Sequence, residues 1–343
     1  MPGAGIGSGM SRVVVGDRSL GHRSVLSAYL PVAAVAVLLG FVPVVIGDSR
    51  TYMGLAITAL TFGAYACGFN VIFGSTGQLF LCLGALAGVG GYGSALLADR
   101  ADLPFLVTIP MAAAIAAVVG GVFSWISVRR SLGVIFTGIV TLTFSLGFGN
   151  LLLGQRDLTG GETGLLIAAS QDTFLRDLVP AYYVFLGMLI GYLLLFRWLQ
   201  RSHFGWAFRA LRDDEMTAEL AGIDVARFRV WAGLIGSAML GLVGAIHAHH
   251  NGFINPTTFE FGRVDVRTLV ILAFGGIGTL MGPVIGTVSF AVVDELIRDL
   301  RQLRIAVEGG ILIVLFLGFR GGVGPAVVSL YHRFRARTGR TGS

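Results

Sequence analysis

Lysine is absent from this sequence, so all 25 basic side chains among its 343 residues are arginine. That absence removes the phosphate-binding loop G-x-x-x-x-G-K-[ST], whose lysine reaches the nucleotide phosphates, and with it nucleotide hydrolysis by that route. Charge of either sign is scarce, 13% of residues against about 25% in soluble domains. So few charges cannot cover a water-facing surface. Cysteine is nearly missing as well: Cys67 and Cys82 stand in apolar runs without C-x-x-C spacing, and they read as buried thiols rather than a disulfide framework. The middles of the apolar runs hold almost no ionisable groups, which argues against a proton-coupled carrier, where protonation at membrane depth is the coupling event.

What remains is apolar: hydrophobic residues make up 55% of the chain and its mean hydropathy is +0.80. Runs of about 20 such residues cross the hydrocarbon of a bilayer. They occur at 28–46, 52–73, 79–98, 103–128, 132–153, 179–199, 230–247 and 305–319. The stretch 268–296 is too long for one straight span and is interrupted by GGIGTLMGP, so it divides near Met281. The first run lacks a small-residue cleavage site and reads as a retained span. The expectation is an all-α integral membrane protein of about ten transmembrane helices. A tail at 1–27 precedes the membrane domain at 28–319, and a basic tail follows at 320–343.

Arginine placement orients this chain by the positive-inside rule. With the N-terminus in the cytoplasm, the cytoplasmic segments collect 16 of the 25 arginines, including Arg129, Arg130, Arg201, Arg209, Arg212, Arg227 and Arg229. Both termini then lie inside. Acidic residues such as Asp99, Asp157, Asp177 and Asp265 offset the arginines assigned to the outside. The net positive charge is spread over loops, so it reports topology and gives no reason to expect nucleic acid.

Ten spans divide into two five-helix halves, and an odd number per half inverts the second relative to the first. Such repeats place a solute pathway at their interface, marked by Gly- or Pro-interrupted segments at matching positions. Span three begins GSTGQLF, and span eight carries FGGIGTLMGP. Gln78, Thr141, Thr143 and the break containing Gly275, Gly276, Gly278, Gly282 and Pro283 are the candidate pathway residues. Close packing is an equally good use for glycines spaced four apart, and the two uses are compatible.

Three smaller signals carry less. Gly88, Gly90 and Gly93 satisfy G-x-G-x-x-G but sit in an apolar span, not between a strand and a helix. His247, His249 and His250 could converge on a metal, as in a membrane-embedded enzyme, although no nearby cysteine completes a ligand set. An interfacial polar cap is the simpler reading. Glu308 fits either a proton relay or an interfacial pair with Arg304.

Residues 201–224, RSHFGWAFRALRDDEMTAELAGID, are the one internal stretch that reads as a solvated, charged helix. Asp213, Asp214 and Glu215 suit a helix start, and Met216, Leu220 and Ile223 form an apolar stripe that a partner could cover. A partnerless interhelical loop is the alternative.

Several segments carry a family resemblance. They are S-x-F-G-x-A-x-R-A-x-R at 202–212, A-G-I-D at 221–224, G-A-I-H-A-H-H-N-G-F-I-N-P at 244–256 and G-G-I-G-T-L-M-G-P-V-I-G at 275–286. L-T-G-G-E-T-G-L at 158–165 and G-x-x-G-Q-L at 74–79 join them. In their order and spacing, over roughly 50–325, these resemble the permease subunits of branched-chain amino acid ABC transporters, of the LivM type. The resemblance implies a permease without covalent chemistry or cofactor, which forms half of a pathway in the bacterial cytoplasmic membrane. The implied partners are a homologous LivH-type permease, two ABC ATPase subunits and an extracytoplasmic substrate-binding protein. It also implies that the cytoplasmic loop at 200–229 docks an ATPase, through Arg209, Arg212, Asp213, Asp214, Glu215, Met216, Ala218 and Gly222. The match to the docking pattern is degenerate, with Glu215 displaced by one position. Where the family continues span three with S-L-G-H-A, this chain has Phe80-Leu81-Cys82-Leu83-Gly84, so a more apolar pathway is expected there. Urea or short amides stay open as cargo, as does a stand-alone carrier or channel.

Overall fold

The computed structural model describes residues 21–47, 49–101, 103–167, 173–213, 215–296 and 310. The chain folds into α1 (Gly21–Gly40), α2 (Val42–Ile46), α3 (Arg50–Phe69), α4 (Leu83–Ala101), α5 (Phe105–Arg129), α6 (Val134–Gly154) and α7 (Arg156–Thr159). Strand β1 (Leu165–Leu166), α8 (Thr173–Arg176), α9 (Leu178–Arg201), α10 (His203–Asp213), α11 (Glu215–Leu220) and α12 (Val225–Asn251) follow. Strand β2 (Phe253–Ile254), α13 (Phe261–Gly275) and α14 (Gly282–Leu296) complete the described part.

Six segments among the described residues are long and apolar enough to cross a membrane: Tyr29–Ile46, Arg50–Gly74, Phe105–Arg129, Val134–Gly154, Leu178–Arg201 and Val225–Asn251. The expected third span is the glycine-rich α4, which starts at Leu83 and not at 79, because residues 77–82 are non-helical and Gly77 has a φ of +72°. The expected eighth and ninth spans are α13 and α14, with 15 residues each. At 1.5 Å per residue each rises about 22 Å, less than the roughly 30 Å of hydrocarbon. The expected tenth span at 305–319 apart from residue 310, Glu308, most of the tail at 1–27 and the tail at 320–343 lie outside the described residues.

α3 is the central helix, with 72% of its most apolar window buried. α12 crosses it and packs along α4 and α5. The α12–α4 seam is built from glycine: a Cβ on Gly244 would lie 1.9 Å from the Ala87 carbonyl oxygen, and one on Gly90 would lie 2.0 Å from that of Gly241. Small residues let backbones approach this closely where no hydrophobic drive pushes helices together in lipid. α9 is attached by tyrosines. Tyr192 Oη donates to the Met239 carbonyl at 2.7 Å, and Tyr182 Oη donates to the Leu39 carbonyl at 2.7 Å. The second bond satisfies a carbonyl that the end of α1 leaves without an intrahelical partner.

The bundle has two ends. At one, β1 pairs antiparallel with β2, Leu165 opposite Ile254, and Arg176 donates to the Ile167 carbonyl. Gly160, Gly161 and Gly164 all adopt positive φ in the loop before β1, which accounts for the glycines of the L-T-G-G-E-T-G-L segment. The other end gathers the 130–134 turn, α11, the start of α12 and residues 77–78 around one cavity.

Candidate functional site

The two glycine-interrupted segments meet. After α3 the chain passes through a π-helical turn, Asn70–Gly74, and then runs non-helically to residue 82. Asn70 Nδ2 donates to the Thr279 carbonyl at 2.9 Å, while Asn70 Oδ1 accepts from the Gly278 N–H at 2.7 Å. One amide thus holds the α13–α14 turn from both sides. Non-helical backbone inside a membrane protein needs such internal partners, since lipid offers none. Gly276 (φ +107°) and Gly278 (φ +78°) make the turn. Gly275 and Gly282 pack α13 against α14, and Pro283 is buried in the first turn of α14, where its missing N–H is no loss.

The 77–82 segment has its own partners. Leu81 N–H donates to Thr141 Oγ1 at 2.9 Å, and Gln78 Oε1 accepts from Ser124 Oγ at 2.8 Å. Both Gln78 and Thr141 are buried. Thr143 is not part of this group: it is exposed on the outer face of α6, and its hydroxyl donates to the Ile139 carbonyl of its own helix. Phe80, Cys82 and Leu83 are buried in the protein core, so the apolar departure from the family pattern changes packing and not an open lining.

Asp265 requires a correction. The sequence places it among external acids, whereas it is 1% exposed and accepts from the backbone N–H groups of Leu83 and Gly84 at the start of α4. A carboxylate at the first turn complements the helix dipole and fills donors that have no intrahelical partner. Sequence spacing could not reveal this, because Asp265 and α4 lie 182 positions apart.

The polar stretch folds as two short helices. Leu211 of α10, Ala218 of α11 and Val225 of α12 form a small core, joined by Ile223 and Phe228. Ala218 and Ile223 therefore hold the stretch together, and Ile223 does not extend the exposed stripe. What stays outside is Trp206 (70% exposed), Met216 (68%) and Leu220 (83%). The sequence pattern gives Trp206 no role; which sides of these two short helices face out is set by the core between them. Arg209 stacks over the Trp206 ring at 4.7 Å. Glu215, the first residue of α11, pairs in two-point fashion with Arg229 of α12. Gly222 (φ +81°) turns the chain into α12, whose N-terminus Asp224 caps through the Arg227 N–H. Arg212 turns inward: its Nη2 donates to the Ile277 carbonyl at 3.4 Å, so this helix touches the α13–α14 turn that Asn70 holds. Asp214 and the side chain of Asp213 lie outside the described residues.

The histidines diverge. His249 Nε2 meets Ser94 Oγ at 2.8 Å, His250 Nδ1 meets the Leu175 carbonyl and His247 Nε2 meets Asn251. Among the described residues no group of three or more His, Cys, Asp or Glu could hold a metal.

Comparison with known proteins places this arrangement. The family described as branched-chain amino acid transport system / permease component matches residues 51–319. The high-affinity branched-chain amino acid transport system permease protein LivM of Salmonella typhimurium is 27% identical over 295 residues, covering 78% of this chain and 69% of that protein. LivM of Escherichia coli gives the same identity and coverage. The corresponding LivH protein of Salmonella typhimurium is 25% identical over 255 residues, covering 69% of this chain and 81% of that protein. No solved structure matches.

Proposed function

Since the chain belongs to the permease family of branched-chain amino acid transport systems, we propose that it forms one half of an ATP-driven import pathway for such amino acids. It is a multi-pass permease of the cytoplasmic membrane. Both LivM and LivH proteins resemble it, which supports a paired permease system. The outward face of α6, with Thr143, Gly147 and Asn150, is offered to that second permease, because an asparagine has no partner in lipid. Two ABC ATPase subunits and an extracytoplasmic binding protein complete the assembly. A chain without lysine supplies no phosphate-binding loop of its own.

The observation that carries the ATPase assignment is the exposure of three large apolar side chains on this stretch, Trp206 on α10 and Met216 and Leu220 on α11. Exposed tryptophan and other large apolar side chains on an otherwise polar stretch suit an interface anchor. Arg209 and Gly222 shape this handle, and Arg212 links it to the α13–α14 turn. Ten spans in two inverted halves, with both termini cytoplasmic, are the matching topology. It is supported by the meeting of the two glycine breaks at Asn70, and by Arg129, Arg229 and Glu215 bordering one end of the bundle.

Co-expression with the ATPases tests the reading. Alanine at Trp206, Met216 and Leu220 together removes the ATPase from the purified complex while the second permease is retained. Full ATPase recovery with the triple variant rejects the docking site.

A further inference from the structure

The last turn of α5 and the first turns of α12 bound an open groove of about 570 Å³. The two helices run antiparallel there, since a Cβ on Gly120 would strike Ser237 and one on Gly233 would strike Ser124. Both change character in the same sense along the groove. On α12, Arg227 is followed by Val230, Trp231 and Leu234; on α5, Arg129 is preceded by Trp125. Charge therefore stands where both helices end, and apolar surface lies up to about 10 Å deeper, at 1.5 Å per residue. Interfacial tryptophans and basic residues mark the level at which a bundle meets the headgroups.

These side chains are open to their surroundings. Trp125 is 51% and Trp231 43% exposed, and both arginines are exposed. The Arg129 guanidinium lies over the Trp125 ring at 5.3 Å. Asp224 also borders the groove, but its Oδ1 caps α12 by accepting from the Arg227 N–H. Among the described residues no carboxylate forms an ion pair with Arg129 or Arg227. Cations at the mouth of an apolar groove are complementary to an amphiphile with an anionic head.

We propose that this groove binds an anionic phospholipid. The phosphate sits between Arg129 and Arg227, whose planar forks suit phosphate oxygens, and an acyl chain lies along Val230 and Leu234 between the two tryptophans. Basic pockets between membrane helices hold lipid headgroups by the same attraction. Trp231 also meets Phe204 of α10 edge to face, with ring centroids 6.4 Å apart. A lipid held against Trp231 thus braces the start of the α10–α11 handle. Occupancy depends on the membrane placement of the chain and not on the solute that it carries.

The test titrates lipid into the complete transporter in detergent and reads binding by native mass spectrometry. Phosphatidylglycerol is the anionic probe and phosphatidylcholine the zwitterionic one, and the unmodified transporter prefers the first. Arg129→Gln with Arg227→Gln weakens phosphatidylglycerol binding by about thirtyfold, the combined pull of two arginines on a headgroup. Arg129→Lys with Arg227→Lys keeps both charges and most of the binding. Arg100→Gln with Arg263→Gln removes the same charge from exposed positions outside the groove and leaves binding unchanged. Excess inorganic phosphate does not displace the lipid, because it lacks the acyl chain. Undiminished binding by the glutamine pair overturns the proposal, as do equal affinity for phosphatidylcholine and an equal loss in the lysine pair or in the Arg100 and Arg263 pair. Displacement by phosphate overturns it in favour of an anion site. Binding to the isolated chain that is missing from the complete transporter overturns it too, and assigns the groove to the second permease.

Discussion

Asp265 accepts a hydrogen bond from the backbone N–H of Leu83 across 182 positions of sequence, and so fastens the start of α4 to α13. Gly84 N–H donates to the other carboxylate oxygen at 3.0 Å. Replacing the carboxylate by a methyl group leaves both donors unmet in the bundle interior, at about 1–3 kcal/mol for each. Asp265→Ala is therefore expected to lower the thermal midpoint of the detergent-solubilised protein markedly. Asp265→Asn, which keeps one acceptor oxygen, falls between the two. Equal midpoints for all three proteins would show that the cap contributes nothing.

Glycines divide into those that hold backbones together and those that merely occupy lipid-facing helix. A Cβ on Gly244 meets the Ala87 carbonyl at 1.9 Å, whereas one on Gly187 of α9 meets nothing within 4 Å. Gly244→Ala forces α12 and α4 apart, an overpacking cost of about 1–3 kcal/mol or more. Gly187→Ala is neutral or slightly stabilising, by up to about 1 kcal/mol from helix propensity. Thermal midpoints of the two variants measure the contrast, and similar losses in both would contradict the packing geometry.

How much of this was legible in the sequence follows from what each feature depends on. Apolar runs and the GGIGTLMGP interruption are local, and they located α3, α5, α6, α9, α12 and the break between α13 and α14 closely. Leu79 to Cys82 are as apolar as any span, yet they are non-helical, because tertiary partners on α5 and α6 compensate for the lost helical bonds. Asp265 reads as a loop charge until α4 is known to start at Leu83. Ile223 leaves the exposed stripe, and Trp206, to which the pattern gives no role, is exposed for a similar reason: which side of a short helix faces out is set by the Leu211–Ala218–Val225 core.

Thr141 and Thr143 looked alike as pathway candidates, and the structure separates them. Thr141 Oγ1 accepts from the Leu81 N–H and donates back to its own helix at Thr137, so Thr141→Val strands a backbone donor at about 1–3 kcal/mol. Thr143 bonds only its own helix, and Thr143→Val changes stability by less than about 0.5 kcal/mol. If the outer face of α6 meets the second permease, Thr143→Trp reduces recovery of the permease pair while the single chain keeps its thermal midpoint. Undiminished pairing with Thr143→Trp would remove α6 from that interface.

The Glu215–Arg229 pair ties α11 to α12, yet its members are 49% and 18% exposed at the side chain. An ion pair this open contributes roughly 0–1 kcal/mol, and salt screens it. Its effect is therefore local. Glu215→Gln is expected to leave the global thermal midpoint nearly unchanged while raising amide hydrogen exchange at 217–220, and high salt reproduces the same local loosening in the unmodified protein. Exchanging the charges, Glu215→Arg with Arg229→Glu, restores protection if the pair acts by attraction between the two helices. Hydrogen exchange read by mass spectrometry decides it: protection of α11 that is indifferent to both variants and to salt would mean that the Leu211–Ala218–Val225 core alone positions the handle.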